Sequence, residues 1–234
     1  MGQKGRPSHG RALRQLLIGG GVLAALALLS ALIPTNFLAR RLTVASAYVG
    51  LGLICLTLAI GPGYLLRGRR PPVSISWRRD LGIWAGGISL FHVLVGFQVH
   101  FGGNWARYFF HGAEAGQRIP LRADAIGWAN HTGLLATLIL VLLVAISSNV
   151  AIRRLGPARW KSLQRLNYAG LVLVGVHGAI YQVLVRRPIP AVALLSLLLT
   201  GAVAFQVAGY LIRRRAEAEG SRPASLPPRQ DSNA

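Results

Sequence analysis

Acidic residues and cysteine are both scarce in this sequence. Six of its 234 residues are Asp or Glu, against 26 Lys or Arg, and charged residues make up only 14% of the chain, whereas about 25% is usual in a soluble domain. The single cysteine, Cys55, excludes an intramolecular disulfide, a covalently attached c-type haem and a cysteine-ligated iron–sulfur cluster. The apolar segments hold almost no carboxylates, which leaves little for a carboxylate-based proton or ion pathway.

Two classes of soluble function are also excluded. The net charge of +20 does not indicate nucleic-acid binding, because the basic residues punctuate long apolar runs and do not gather on one face beside aromatic residues. No G-x-G-x-x-G or P-loop motif stands between a strand and a helix, so we expect no nucleotide-binding domain. A soluble redox cofactor would have to belong to another polypeptide.

Six segments are apolar over the roughly 20 residues that a helix needs to cross a bilayer. The predicted spans are Gln15–Pro34, Leu42–Leu65, Asp80–Phe101, Ala129–Asn149, Leu163–Val185 and Ile189–Ile212. A lipid-exposed backbone must satisfy its own hydrogen bonds, so the predicted fold is an all-α bundle of six transmembrane helices. The first span is predicted to be retained, because its apolar core is longer than that of a signal peptide and no clear A-x-A site follows.

The distribution of basic residues predicts the orientation of the bundle. Nineteen of the 26 Lys and Arg residues fall in the two terminal segments and the two even-numbered connections. By the positive-inside rule both termini are cytoplasmic, and we expect a multi-pass protein of a bacterial inner membrane. The predicted organisation is a basic N-terminus (1–14), a transmembrane domain (15–212) and a disordered cytoplasmic tail (213–234).

Two histidines stand well inside predicted spans, where an ionisable residue is a candidate functional group. His92 and His177 lie about 18 and 21 Å along helices that run in the same direction, so they share one depth. Facing each other, they could supply both axial nitrogens of a b-type haem. Gly96 and Gly170 share the faces of these histidines and would give a flat macrocycle clearance. The alternative is that the histidines are structural and the glycines serve helix packing.

Three further histidines are predicted at the outer surface. His100 follows His92 by eight residues, which places it about 12 Å higher if the helix continues. His131 opens the fourth span and His111 lies in the outer loop. Together they could line a quinone, metal or substrate site, or they could be interfacial side chains bonded to loops and head groups.

Two motifs carry a family resemblance. One is Arg78-Arg79-Asp80-Leu81-Gly82-Ile83-Trp84, followed by Phe91-His92; the other is the segment RLGPARWKSLQRLNY over 154–168, followed by Val176-His177. In this order and spacing they resemble the ferric reductase-like transmembrane domain family, and within it the haem-binding membrane subunits of bacterial periplasmic methionine-sulfoxide reductase systems. The resemblance covers roughly residues 40–185.

The resemblance implies a haem-carrying bundle that moves single electrons. It places the axial ligands at His92 and His177. The family's earlier helix-five histidine falls on Gln164, so one haem b is expected, and Gln164 could instead contact an FMN or quinone near the inner face. The implied donor is a cytoplasmic flavoprotein or quinol, and the implied acceptor is ferric iron or a periplasmic reductase. The chain would be an oxidoreductase component without its own flavin or NAD(P)H domain.

Two other functions are also compatible with the sequence. One is a haem-free scaffold, transporter or assembly protein whose histidines are structural or bind a metal. The other is a dihaem cytochrome b, which needs two histidine pairs at two depths, whereas the sequence offers one pair.

Overall fold

The computed structural model describes residues 9–68, 75–111 and 120–220. Within these ranges the chain forms helices and no strand, and one isolated antiparallel bridge joins Phe110 to Leu121. In chain order the helices are α1 (His9–Leu32), α2 (Leu38–Leu66), α3 (Ile75–Gly96), a 3₁₀ turn (Phe101–Gly103), α4 (Ala106–Phe109), α5 (Ala125–Ala145), α6 (Asn149–Leu155), α7 (Pro157–Gln164), α8 (Leu166–Leu184) and α9 (Ile189–Gly220). The predicted all-α class is confirmed for this part of the chain.

Five helical stretches are long and apolar enough to cross a membrane. They are Gly10–Leu32, Leu38–Leu66, Ala125–Ala145, Pro157–Leu184 and Ile189–Ala218. Large apolar side chains such as Val183 and Leu197 are exposed on them, which suits contact with lipid. α3 is not among the five, because Arg78, Arg79 and Asp80 stand in its first two turns. Its 22 residues make about 33 Å of helix, and a sixth span stays a prediction.

Contacts between side chains and backbone give the directions of the helices. Tyr48 donates its hydroxyl hydrogen to the carbonyl of Ala191 at 2.9 Å, and Gln206 donates to the carbonyl of Leu58 at 2.7 Å, so α2 and α9 run parallel. Contacts of the same kind make α2 antiparallel to α3 and α5 antiparallel to α8. We call the end where α2, α5 and α9 begin, and α3 and α8 end, the rim.

α2 lies at the centre of the bundle and packs against α1, α3 and α9. Leu51, Ile54 and Leu58 of α2 belong to one buried cluster with Ile88 of α3 and Leu140 of α5. Because lipid is as apolar as these side chains, close packing rather than transfer from water holds such helices together. The central position of α2 places its rim end beside the histidines of α3.

A polar contact joins α1 to α3 at the end opposite the rim. The carboxylate of Asp80 is fully buried and accepts a hydrogen bond from Nε of Arg14. One turn further along, Nε1 of Trp84 donates to Gln15 at 2.7 Å. Asp80 therefore lies inside α3, paired with a cation, and not at the helix boundary that the sequence predicted.

α3 begins and ends five residues earlier than the predicted span 80–101. It ends at Gly96, where the hydroxyl of Tyr108 donates to the Gly96 carbonyl at 2.8 Å. Phe101 and Gly102 then have positive φ values of 53° and 62°, which a continuing helix does not allow. His100 consequently lies in the turn beyond α3, and its predicted position on the same helix as His92 is wrong.

The ends of the other predicted spans also differ from the helix ends, and two of these differences concern further predictions. The predicted fifth span began at Leu163, whereas α7 ends at Gln164 and α8 begins at Leu166. α9 continues to Gly220, so residues 213–220 of the predicted disordered tail are helical. That stretch is rich in Arg, Ala and Glu, which are strong helix formers. Residues 221–234 lie outside the described part.

Candidate functional site

The imidazoles of His92 on α3 and His177 on α8 face each other inside the bundle. Their ring centroids are 6.1 Å apart and the ring planes are perpendicular. Both helices end at the rim, and each histidine lies a few residues before its helix ends, at Gly96 and Leu184. The equal depth that the sequence predicted for these two residues therefore brings their rings into contact distance.

Both imidazoles are held through the same ring nitrogen. Nδ1 of His92 lies 2.9 Å from the carbonyl oxygen of Thr43, and Nδ1 of His177 lies 2.8 Å from that of Ala129. A carbonyl oxygen can only accept, so each Nδ1 carries the hydrogen and donates it. Each Nε2 is then left with a lone pair, which is the form of histidine that ligates a metal.

The separation of the rings matches that of two imidazoles on one metal ion. Imidazole–metal bonds are about 2 Å long, and two of them in line, with the distance from each nitrogen to its ring centre, add to roughly 6 Å. The measured centroid distance is 6.1 Å. Rotation about a metal–nitrogen bond does not alter ligation, so perpendicular ring planes are compatible with two imidazoles on one ion.

Both histidines line a cavity of about 210 Å³ between α2, α3, α5 and α8. Its walls are largely apolar and include Leu51, Ile54 and Leu140. Ligand sites of proteins commonly combine such walls with a few convergent polar groups. Here the polar groups include the two imidazoles and the hydroxyls of Ser46, Ser89 and Thr137. The imidazoles between apolar walls fit a flat, apolar, metal-containing group.

A glycine that the sequence interpretation missed makes room for His177. A Cβ on Gly133 of α5 would lie 2.5 Å from Nδ1 of His177 and 2.8 Å from its Cε1. Gly96 lines the cavity as predicted, but Gly170 faces Ile139 of α5, where an added Cβ would make an ordinary contact at 3.6 Å. The predicted clearance beside His177 comes from the neighbouring helix.

The side chain of Tyr181 connects His177 with the rim. Its ring centroid lies 5.0 Å from that of His177 and 6.4 Å from that of His100, on which it stacks with 24° between the planes. Its hydroxyl donates to Asn130 at 2.7 Å, and Asn130 donates in turn to the carbonyl of Tyr108 at 3.0 Å. Burial raises the pKa of Tyr108, so this phenol stays protonated at neutral pH.

The predicted outer-face histidines have separate surroundings. His100 lines the cavity beside Tyr108 and Tyr181, whereas Nε2 of His131 lies 3.2 Å from the carbonyl of Arg122 and its ring packs near Phe109. Among the described residues, no three His, Cys, Asp or Glu side chains are grouped closely enough to hold a metal ion. A shared metal site of His100, His131 and the exposed His111 is therefore not formed there.

Gln164 is far from the histidine pair. It ends α7, thirteen residues before His177, which is about 20 Å of helix. It does not line the cavity, so it is no ligand for a group held by His92 and His177.

Two arginines that the sequence interpretation did not single out also line the cavity, at its rim. They are Arg40, at the start of α2, and Arg187, in the connection from α8 to α9. Burial lowers the pKa of His100, and the charges of Arg40 and Arg187 lower it further. The cavity is thus neutral at depth and positively charged at the rim.

Compared with models of known protein families, the chain matches none.

Proposed function

We propose that this chain is a haem b-binding membrane subunit that carries single electrons between a donor on the cytoplasmic side and an acceptor on the outer side. His92 and His177 would be the two axial ligands of one haem. The proposal includes six spans with cytoplasmic termini in a bacterial inner membrane, for which the support is the charge distribution and the opposite directions of α2 and α3 and of α5 and α8.

The observation that carries the proposal is the matched state of the two imidazoles. Both donate from Nδ1 to a backbone carbonyl, and their centroids are 6.1 Å apart across one cavity. Within the described chain, neither Nε2 has a hydrogen-bond partner. Both imidazoles line the cavity, so each Nε2 would be available to a ligand that binds there.

A haem supplies an iron that changes oxidation state by one electron. The chain's own residues would fix the ligands and set their environment. The carbonyls of Thr43 and Ala129 orient the two rings and make the opposite ring nitrogens more basic, which strengthens their bonds to a metal ion. The apolar walls exclude water and thereby tune the redox potential.

The residues at the rim favour an electron acceptor on that side of the bundle. Tyr181 and His100 continue the aromatic contacts of His177 towards the rim, and His100 and Arg187 there are only partly buried. By the predicted orientation the rim faces outward, so we place ferric iron or a periplasmic reductase there. A cytoplasmic flavoprotein or a membrane quinol, with FMN or quinone as carrier, would supply electrons at the opposite end.

Absorption spectroscopy of the purified protein tests the proposal. Haem-replete expression should give a dithionite-reduced low-spin α-band and one haem per chain by pyridine haemochrome. His92→Ala and His177→Ala should each abolish that band, whereas His111→Ala, at an exposed rim position, should retain it. Folded protein without haem would overturn the proposal and favour the haem-free scaffold, transporter or assembly protein.

A further inference from the structure

Two arginine side chains line the mouth of the histidine cavity, and the ion pairs seen among the described residues include neither of them. Arg40 and Arg187 both line its rim. In the described residues, the side chains of Asp80 and Asp124 form ion pairs with Arg14 and Arg122, and neither pairs with the rim arginines. Glu114, also between α3 and α5, lies outside the described residues.

The two cations are near enough to influence each other. Burial lowers the pKa of Arg187, Tyr48 raises it, and the charge of Arg40 lowers it. Both arginines also act on His100, so three basic side chains share this rim. Partly buried like charges repel each other, and an arrangement of this kind is stabilised when an anion binds between them.

The neighbouring arginines are in a different situation. Arg41 follows Arg40 directly, but its Nε donates to the carbonyl of Ser30 at 2.7 Å and it does not line the cavity. Arg186 precedes Arg187, and it is exposed and also outside the cavity lining. One arginine of each adjacent pair therefore lines the cavity and the other does not. The arginines outside the cavity provide matched controls.

The cavity as a whole is built for an amphipathic molecule. Its depth offers two imidazoles between apolar walls, and its rim offers two guanidinium groups, each able to bind a carboxylate with two parallel hydrogen bonds. A haem has this division, with an apolar macrocycle around its iron and two propionate carboxylates on one edge.

We propose that Arg40 and Arg187 bind the propionates of the haem, so that the macrocycle stands with its propionate edge at the rim. The inference rests on the proposed function, since it needs a haem on His92 and His177. It adds the orientation of the cofactor and two specificity-determining residues for its carboxylates.

The test compares haem with its dimethyl ester, whose propionates carry no charge. The apoprotein in detergent is titrated with each, and the low-spin spectrum that depends on His92 and His177 is the readout. Two charge-assisted bonds should make wild-type protein prefer the free acid on the order of a hundredfold. In the double variant Arg40→Gln/Arg187→Gln this preference should fall nearly to unity, because binding of the acid weakens while binding of the ester is unchanged.

The control variants distinguish the effect of the positions of the two arginines from the effect of the protein's total charge. Arg41→Gln/Arg186→Gln removes the same charge from the adjacent positions and should keep the preference for the free acid, as should Glu114→Gln. The inference is overturned if wild-type protein binds acid and ester equally, or if the Arg40/Arg187 variant retains the preference. The first result is obtained with wild-type protein, so it does not depend on the folding of any variant. The second result requires that the variant folds, which its binding of the ester would show.

Failure of the proposed function has a different signature. If neither the acid nor the ester gives a low-spin spectrum that depends on His92 and His177, the haem assignment itself is wrong. If both give that spectrum without discrimination, the haem assignment stands and only its orientation by Arg40 and Arg187 is rejected.

Discussion

Gly133 of α5 lies directly against the imidazole of His177, so that a Cβ at this position would be 2.5 Å from Nδ1. The same ring donates to the carbonyl of Ala129, one helical turn earlier on α5. α5 thus determines the orientation of a histidine that belongs to α8. Its glycine is a requirement of the site and not only of helix packing.

Replacement of Gly133 by alanine should therefore displace the His177 ring. We expect Gly133→Ala to lose most of the low-spin haem spectrum while the helical circular dichroism stays unchanged. Gly87→Ala is the matched control, because a Cβ on Gly87 of α3 meets nothing within 4 Å. A Gly133→Ala protein with wild-type spectrum and haem affinity would show that the site tolerates the methyl group.

The hydroxyl of Tyr181 should contribute to stability and not to haem ligation. Tyr181→Phe keeps the ring between His177 and His100 but removes the donor to Asn130. The loss of one buried hydrogen bond costs about 1 kcal/mol, which thermal unfolding in detergent would detect. The α-band should persist. A lost α-band in Tyr181→Phe would mean that the hydroxyl itself holds the ligand in place.

His100 should make the protein less stable in mild acid. Burial lowers the pKa of His100, with Arg40 and Arg187 adding to the effect. The unfolded chain takes up this proton near pH 6.5 and the folded chain only at lower pH, so stability falls as the pH drops below about 6.5. His100→Gln should reduce this dependence in melting temperatures measured from pH 5 to 7.5. An unchanged pH profile would exclude His100 as a source.

Replacing one partner of the buried ion pair between α1 and α3 should cost more stability than replacing the other. The side chain of Asp80 is 0% exposed and that of Arg14 is 19% exposed. Removing one partner of a buried pair costs about 3–5 kcal/mol, and the cost is larger when the remaining charge is the more buried one. Denaturant unfolding should therefore rank Arg14→Gln as less stable than Asp80→Asn. The reverse order would mean that Asp80 is stabilised by other groups.

Cysteine labelling tests whether α3 crosses the membrane, as the six-span topology requires. Because Cys55 is the only cysteine, a Cys55→Ala protein accepts single reporters. His111→Cys, after α3, should react with a membrane-impermeant maleimide added to intact spheroplasts, whereas Ser8→Cys should react only after lysis. Equal labelling of both positions from one side would contradict the six-span topology.

The membrane architecture was largely predictable, because it depends on local composition. A helix in lipid needs an unbroken apolar run whatever it packs against. Five of the six predicted spans correspond to helices of sufficient length and hydropathy. The errors lie at helix ends, as at Gly96, where the hydroxyl of Tyr108 from a later segment binds the last carbonyl.

The sequence alone determined the apolar helices and singled out His92 and His177, since intramembrane histidines are conspicuous without any partner. Only the tertiary structure decided what surrounds them: the carbonyls of Thr43 and Ala129, the clearance at Gly133, and the two rim arginines. Those contacts join residues far apart in the chain. They depend on which helices are neighbours and how each is rotated, and in a bundle surrounded by lipid a hydrophobic pattern specifies neither.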